Sequence, residues 1–198
     1  MPHPKAHIEH PLLVHIGQFV HLDPGDFSKI LSSFENKKAR KREHLMTGDS
    51  ICDTHYFVLK GCLNMYYINP NGAKQTIQFA IENWWLTDYL AYGKKNKTEF
   101  FIQAVEPTTV LALDYEAQEK LLDQFPKLET YFRKVYQIAY GSSLMRVKYQ
   151  YELSKEEIYL HFIQNFPDFA QRVPQYLIAS FLGLTPEYVS EIRKKRFS

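Results

Sequence analysis

The 198-residue chain has only two cysteines, Cys52 and Cys62, too few for a disulfide framework or for a cluster that needs four thiolates. Both are expected as buried thiols on strands. No apolar run approaches the roughly 18 residues of a membrane span, and the opening MPHPKAHIEHP has no apolar core of a secretory signal. The cytoplasm is therefore the expected compartment, with no membrane partner. Histidine occurs eight times but never as His-x-His. His44, His55 and His161 lie far apart and His7-Ile8-Glu9-His10 sits in an irregular start, so no imidazole set converges as a metalloenzyme of β-roll type requires. A Gly-rich phosphate loop, a Gly-x-Ser-x-Gly elbow and a spaced Cys-His pair are missing too. These absences argue against an enzyme, and they leave no catalytic residue, metal ligand or cofactor to name.

Charge of one sign is also lacking. Lysine and arginine number 24 against 22 aspartates and glutamates, a net of +2, so only the distribution of charge can point to a polyanionic partner. From residue 171 onward the balance tips, with Arg172, Arg193, Lys194, Lys195 and Arg196 against Glu187 and Glu191. A run such as Arg193-Lys194-Lys195-Arg196 is by itself most often a solvated chain end.

Aromatics are plentiful, 14 Tyr and 14 Phe, and 45% of the chain is hydrophobic, which a packed globular protein accounts for. Phe27, Ile30, Leu31 and Phe34 repeat at helical spacing, and the basic run from Lys37 to Arg42 then reads as an exposed edge. From about residue 44 to 115, short β-branched and aromatic runs alternate with turn signals, the texture of a sandwich or roll. Strands are predicted over 56–59, 63–68, 76–79 and 109–113, with Asn71-Gly72 as a tight hairpin in which both residues tolerate positive φ. After Asp114 the pattern becomes helical. Leu128, Phe132, Val135, Ala139 and Ser142 form one small, apolar row on a helix of about 26 residues from 126 to 151. A helix this long exceeds what a small roll covers, so the row is read as a dimer seam in preference to a face resting on the roll. Ser154-Lys155-Glu156-Glu157 reads as a capping box.

Residues 175–194, QYLIASFLGLTPEYVSEIRK, match the twenty-position helix-turn-helix pattern. Ala179 is small where the helices cross, Gly183 takes the turn, and Ile178, Leu182, Leu184, Val189 and Ile192 supply the buried face. Thr185 is a natural N-cap, Pro186 occupies the first helical position and Glu187 suits the first turn. A plain αα-hairpin of a helical bundle is the alternative, but the outward residues favour duplex DNA, since Arg and Lys meet phosphates and guanine edges while Ser and Tyr hydrogen-bond to backbone or bases. The residues assigned to DNA are Gln175, Thr185, Glu187, Tyr188, Ser190, Glu191, Arg193, Lys194 and Lys195.

The order of roll, long helix, capped helix and terminal VPQYLIASFLGLTPEYVSEIRKK resembles the cyclic-AMP receptor and fumarate-nitrate regulator superfamily from about Phe27 onward. Tyr56-Phe57-Val58-Leu59-Lys60-Gly61 is similar to that family's strand and glycine turn, and Ile77-Gln78-Phe79 with Glu82-Asn83-Trp84-Trp85 to the approach to its ligand pocket. The resemblance implies an α+β chain. It would comprise a jelly-roll sensor over 1–125, a dimerisation helix over 126–153 and a DNA-binding unit over 154–198, acting as a cytoplasmic homodimer on a palindromic operator.

The sequence departs from that family at two places. The Gly-Glu and Arg-Ser positions that hold a cyclic nucleotide are Thr87-Asp88 and Thr98-Glu99 here, so the arginine fork is missing and Glu99 would repel a phosphate. Lys95 and Lys97 do not replace a bidentate fork and read as a solvated loop, so cyclic AMP is not expected to bind. Any small-molecule effector is left unidentified, and the aromatic crowd of Trp84, Trp85, Tyr89, Tyr92, Phe100 and Phe101 reads mainly as core. The second departure is Glu191, which stands where many relatives carry a base-reading arginine, so the operator should differ from the commonest one. The rival function is a ligand- or protein-interaction module that keeps the architecture without binding DNA.

Overall fold

The computed structural model describes residues 10–23 and 25–197, the side chains of residues 196 and 197 excepted. His7, Ile8 and Glu9 of the N-terminal cluster and the Arg196 side chain lie outside it. Two short helices, α1 (Pro11–Gly17) and α2 (Asp26–Ser32), lead into eight strands: β1 (Glu35–Ala39), β2 (His44–Met46), β3 (Thr54–Lys60), β4 (Leu63–Ile68), β5 (Lys74–Ala80), β6 (Trp85–Leu86), β7 (Phe101–Ala104) and β8 (Thr108–Asp114). Helix α3 (Tyr89–Lys94) lies between β6 and β7. After the strands come α4 (Tyr115–Gln124), α5 (Lys127–Glu152), α6 (Lys155–Asn165), α7 (Pro167–Arg172), α8 (Gln175–Leu182) and α9 (Pro186–Phe197).

The strands form two antiparallel four-stranded sheets, ordered β1-β8-β3-β6 and β2-β7-β4-β5, which face each other as a jelly roll. Alternation along β3 explains how the first sheet is buried on both sides. Tyr56 and Val58 point inward and meet Leu63, Met65, Ile102 and Ala104 of the second sheet. His55 and Phe57 point outward beneath α1, α4 and α5, where Trp85, Leu113, Leu128 and Phe132 join them. A third cluster unites the C-terminal helices with Cys62, Val105, Phe79 and Ile81 of the roll.

The sequence-predicted strands lie within β3, β4, β5 and β8, and the capping box is present, with Ser154 and Glu157 each bonding the other's backbone N–H. The part of the basic run up to Ala39 is strand β1, at the edge of its sheet, where Lys37 and Lys38 leave no apolar face to signal a strand. The hairpin is looser than predicted. Only Gly72 has positive φ, at +78°, and the Asn69 side chain closes the turn by accepting from the N–H groups of Asn71 and Ala73. Both cysteines are buried, but Cys52 lies two residues before β3 and Cys62 one before β4, so neither is on a strand.

The largest difference concerns the row on α5. Leu128, Phe132 and Val135 are buried within this single chain, against the outer face of the first sheet. The first half of α5 is thus the lid of the roll, while Ala139 of the predicted row is half-buried and Ser142 exposed. The apolar stripe left uncovered begins further along: Tyr140, Leu144, Val147 and Tyr151, at intervals of four, three and four residues. Among the described residues, no helix is long and apolar enough to cross a membrane.

Candidate nucleic-acid interface and effector site

Helix α8 packs on α9 through Ile178, Ala179, Leu182, Val189 and Ile192, all buried. Ala179 is fully buried, and Gly183 adopts φ +71° as the left-handed C-cap of α8, a conformation that costs a residue with Cβ far more. The Thr185 hydroxyl caps α9 by accepting from Tyr188 N–H at 3.2 Å. With the apolar face turned inward, α9 presents Glu187, Ser190, Glu191, Arg193, Lys194 and Lys195 to solvent and leaves Tyr188 half-buried. Thr185 is exposed as well, its hydroxyl serving the cap.

Gln175 is placed differently from the expectation. Its side-chain carbonyl accepts from the Tyr159 hydroxyl at 3.1 Å, and its amide donates to the Ala170 carbonyl at 3.0 Å. The side chain ties α6, α7 and α8 together and is not directed at a ligand. The glutamine-first pattern is equally compatible with either role, so the sequence alone could not separate them.

Of the four positions expected to stand where a nucleotide would be held, Asp88 and Thr98 come together and satisfy one another. Asp88 is the N-cap of α3, accepting from the N–H groups of Leu90 and Ala91, and its other carboxylate oxygen accepts from the Thr98 hydroxyl at 2.8 Å. Thr87 is fully buried, its hydroxyl donating to the Thr54 carbonyl at 2.9 Å and lying 3.3 Å from Cys52 Sγ. Glu99 is exposed. Lys95 pairs with Glu116 and lies over the Tyr115 ring, while Lys97 is exposed. Tyr56, Tyr92 and Met65 fill the interior between the sheets, with the Tyr56 hydroxyl donating to the Leu45 carbonyl and pushed up to about 12 by burial. Of the aromatic crowd, Trp85 and Tyr92 are buried, whereas Trp84 is 43% exposed.

Under α5, His55 is completely buried among Trp85, Tyr89, Tyr92, Phe132 and Tyr136. Neither of its ring nitrogens has a hydrogen-bond partner, nor does the Tyr89 hydroxyl. Burial drives the imidazole down to about 3, with a smaller opposing influence from Gln118. Beside it, Trp85 Nε1 donates to the Tyr131 hydroxyl at 2.7 Å, and that hydroxyl, having accepted, is placed to donate to His15 Nδ1 at 2.7 Å.

The roll and the C-terminal helices meet at a junction that carries no local sequence signal. Arg172, at the end of α7, forks onto both oxygens of Glu82 at 2.8 Å and reaches Glu106, so one guanidinium joins the β5–β6 loop to the β7–β8 loop. Burial pushes the Glu82 carboxyl up, but the Arg172 fork and the Gly61 N–H outweigh it and hold the carboxyl down at about 2. Gly61 itself is at φ +106° with Thr108 against its backbone, where a Cβ would collide at 2.4 Å. Further along, Ser180 of α8 sits on the free edge of β5, accepting from Thr76 N–H at 2.8 Å and donating to the Lys74 carbonyl at 3.1 Å. The four partners named for Arg172 and Ser180 are 66 to 106 residues away in sequence, which is why no motif exposes the junction. Among the described residues, no group of three or more His, Cys, Asp or Glu side chains could hold a metal ion.

Residues 36–125 match the cyclic nucleotide-binding domain family. Among solved structures, the chain is similar to the c-di-GMP responsive global regulator CLP of Xanthomonas campestris, with a TM-score of 0.71 at 11% identity over 87% of this chain and 91% of that one. A putative Crp/Fnr-family transcriptional regulator of Eubacterium rectale gives 0.69 at 14% identity, covering 88% of this chain and 83% of the other. FixK2 from Bradyrhizobium japonicum gives 0.66 at 18%, covering 82% and 83% respectively. Likenesses at such identities concern the fold alone and leave the chain's ligands open. No curated protein sequence matches the chain.

Proposed function

We propose that the protein is a sequence-specific DNA-binding transcription regulator of the Crp/Fnr type, acting as a homodimer, with α9 as the reading helix. The observation that carries this reading is the division of α9 into two faces. Val189 and Ile192 are buried against α8, while Ser190, Glu191, Arg193, Lys194 and Lys195 are exposed. Arg193, Lys194 and Lys195 supply phosphate contacts, and Tyr188, Ser190 and Glu191 face base edges, with Glu191 accepting from cytosine. The uncovered stripe from Tyr140 to Tyr151 supports pairing of two copies along α5. In such a dimer the two reading helices address successive half-sites of a palindrome, about 34 Å apart.

The roll does not answer to cyclic AMP in this reading. Asp88 and Thr98 are bonded to each other, and the phosphate position lacks an arginine. The test is binding of genomic duplex fragments as a function of salt. Affinity should fall steeply as salt rises, and Arg193→Ala with Lys194→Ala should flatten the slope by about two phosphate contacts. Absence of binding to any fragment at low salt overturns the reading. Cyclic AMP at micromolar concentration should leave the melting temperature unchanged, and an upward shift overturns that part.

A further inference from the structure

Three contacts of different kinds hold the C-terminal helices on the roll. The Ser180 hydroxyl occupies one rung of the open β5 edge, while apolar packing of Phe79 against Phe169 and Phe181, at 5.0 and 5.3 Å between ring centres, fills the space beside it. Ring packing of this kind tolerates sliding. The Arg172 fork does not, because a planar guanidinium that meets two carboxylates from separate loops allows one orientation only. The carboxylates are themselves held: Glu82 accepts from Gly61 N–H at 2.7 Å, and Glu106 leads directly into the crowded Gly61–Thr108 approach. The groups are about two-thirds covered, with exposures of 31% for Arg172, 34% for Glu82 and 30% for Glu106, so solvent weakens the contact without dissolving it.

We propose that Arg172 is a positioning residue that sets the orientation of the α8–α9 pair on the roll. It does so through Glu82 and Glu106, and in the regulator reading on which this rests, it thereby sets where the reading helix points. Glu82 lies three residues before β6, and β6 runs straight into the buried Thr87 and the Asp88 that opens α3. A displacement of the Asp88–Thr98 pair therefore reaches the Arg172 fork through five residues of chain. The same end of α3 touches α5 through Tyr89 and Tyr136, whose rings are 5.1 Å apart. Any change at the old nucleotide position is thus transmitted both to the long helix and to the orientation of α8–α9.

The test is an intrachain distance measured by spin labels on the full chain, on cysteines introduced as Lys38→Cys and Lys195→Cys. Both sites are exposed, and the native thiols are buried and unreactive. Labelled chain is diluted with excess unlabelled chain so that the intrachain distance dominates. The expected result is a narrow distribution that broadens in Glu82→Gln with Glu106→Gln, and less so in Arg172→Lys, which keeps the charge and loses the fork. Arg172→Gln leaves the roll's loops untouched and should broaden it as well if the double variant fails to fold. A purely structural role for the fork would lower the melting temperature with the distribution unchanged, and that outcome overturns the proposal, as does a broad distribution in the unsubstituted chain. No DNA is needed, so failure to bind DNA counts against the regulator reading alone.

Discussion

The two halves of α5 are similarly apolar and have opposite fates. From Leu128 to Val135 the side chains close the outer face of a β-sheet, with Phe132 4% exposed. From Tyr140 to Tyr151 the stripe stands in solvent, with Leu144 at 51% and Tyr151 at 90%. A helix of 26 residues is about 39 Å long, and a roll whose strands have seven residues or fewer spans little more than half of it. The first half thus belongs to the folding of the roll, whereas the second packs on the rest of the chain through Arg146 and Tyr149 and leaves the Tyr140–Tyr151 stripe as the surface on which the proposed pairing would fall. The difference shows that periodicity identifies an apolar face but not what covers it.

The buried half can be broken most severely by Phe132→Ala. It removes a ring packed against Trp85, Tyr131 and His55, and should lower stability by about 3–5 kcal/mol in denaturant titrations. The matching change Tyr151→Ala, in a monomer, should cost under about 0.5 kcal/mol. Equal costs would erase the distinction between the halves. On the exposed half, Leu144→Asp should leave the helical signal and the monomer's stability intact while raising the dimer dissociation constant about a hundredfold, on the order of 3 kcal/mol for a carboxylate forced into an apolar seam. Sedimentation that gives the same mass as the parent across concentrations would remove the seam from Leu144.

The contrast also sorts what sequence could and could not reveal. Ala179, Gly183, Thr185 and Pro186 are legible because each answers a local demand of backbone or crossing distance, and the demand lies within a few residues. Ser154 and Glu157 are legible for the same reason. The strands of the roll follow from alternation, except β1, where lysines on an edge strand give no apolar signal. The covering of Leu128 was not legible because Leu128 and Leu144 lie on equally apolar rows of one helix, and only the depth of the roll decides that the first is buried within the chain and the second exposed. Gln175 and Arg172 were misread or missed because their roles depend on Tyr159, Ala170, Glu82 and Glu106, partners that only the fold assembles. That Thr98 and Glu99 stand where an arginine was expected is visible in the sequence, whereas the Asp88–Thr98 bond is not.

The mildest effect sharpens the comparison through acid. His55 lies beneath the buried half of α5, and its pKa falls from 6.5 to about 3 because burial disfavours the imidazolium. The groups facing it are Trp85, Tyr89, Tyr92, Phe132, Tyr136 and Gln118, and none is an acid that could compensate the charge. Between those two pH values the unfolded chain binds a proton that the folded chain refuses. Stability is therefore fully present above about pH 6.5 and is lost as pH falls toward 3. His10, His15 and His44 are also lowered by burial, although less completely buried, and add to the same slope. The Arg172 junction does not contribute over most of this range, because Glu82 titrates only from its ordinary 4.5 down to about 2. His55→Phe keeps an aromatic ring in the chamber and removes the titration, so the fall in melting temperature from about pH 7 to about pH 5 should be shallower by several degrees than in the parent. Dissociation of the proposed dimer, assigned to the far half of the helix, should keep its parental pH dependence, and a variant with an unaltered melting slope would show that His55 is not the group that makes the lid of the roll acid-sensitive.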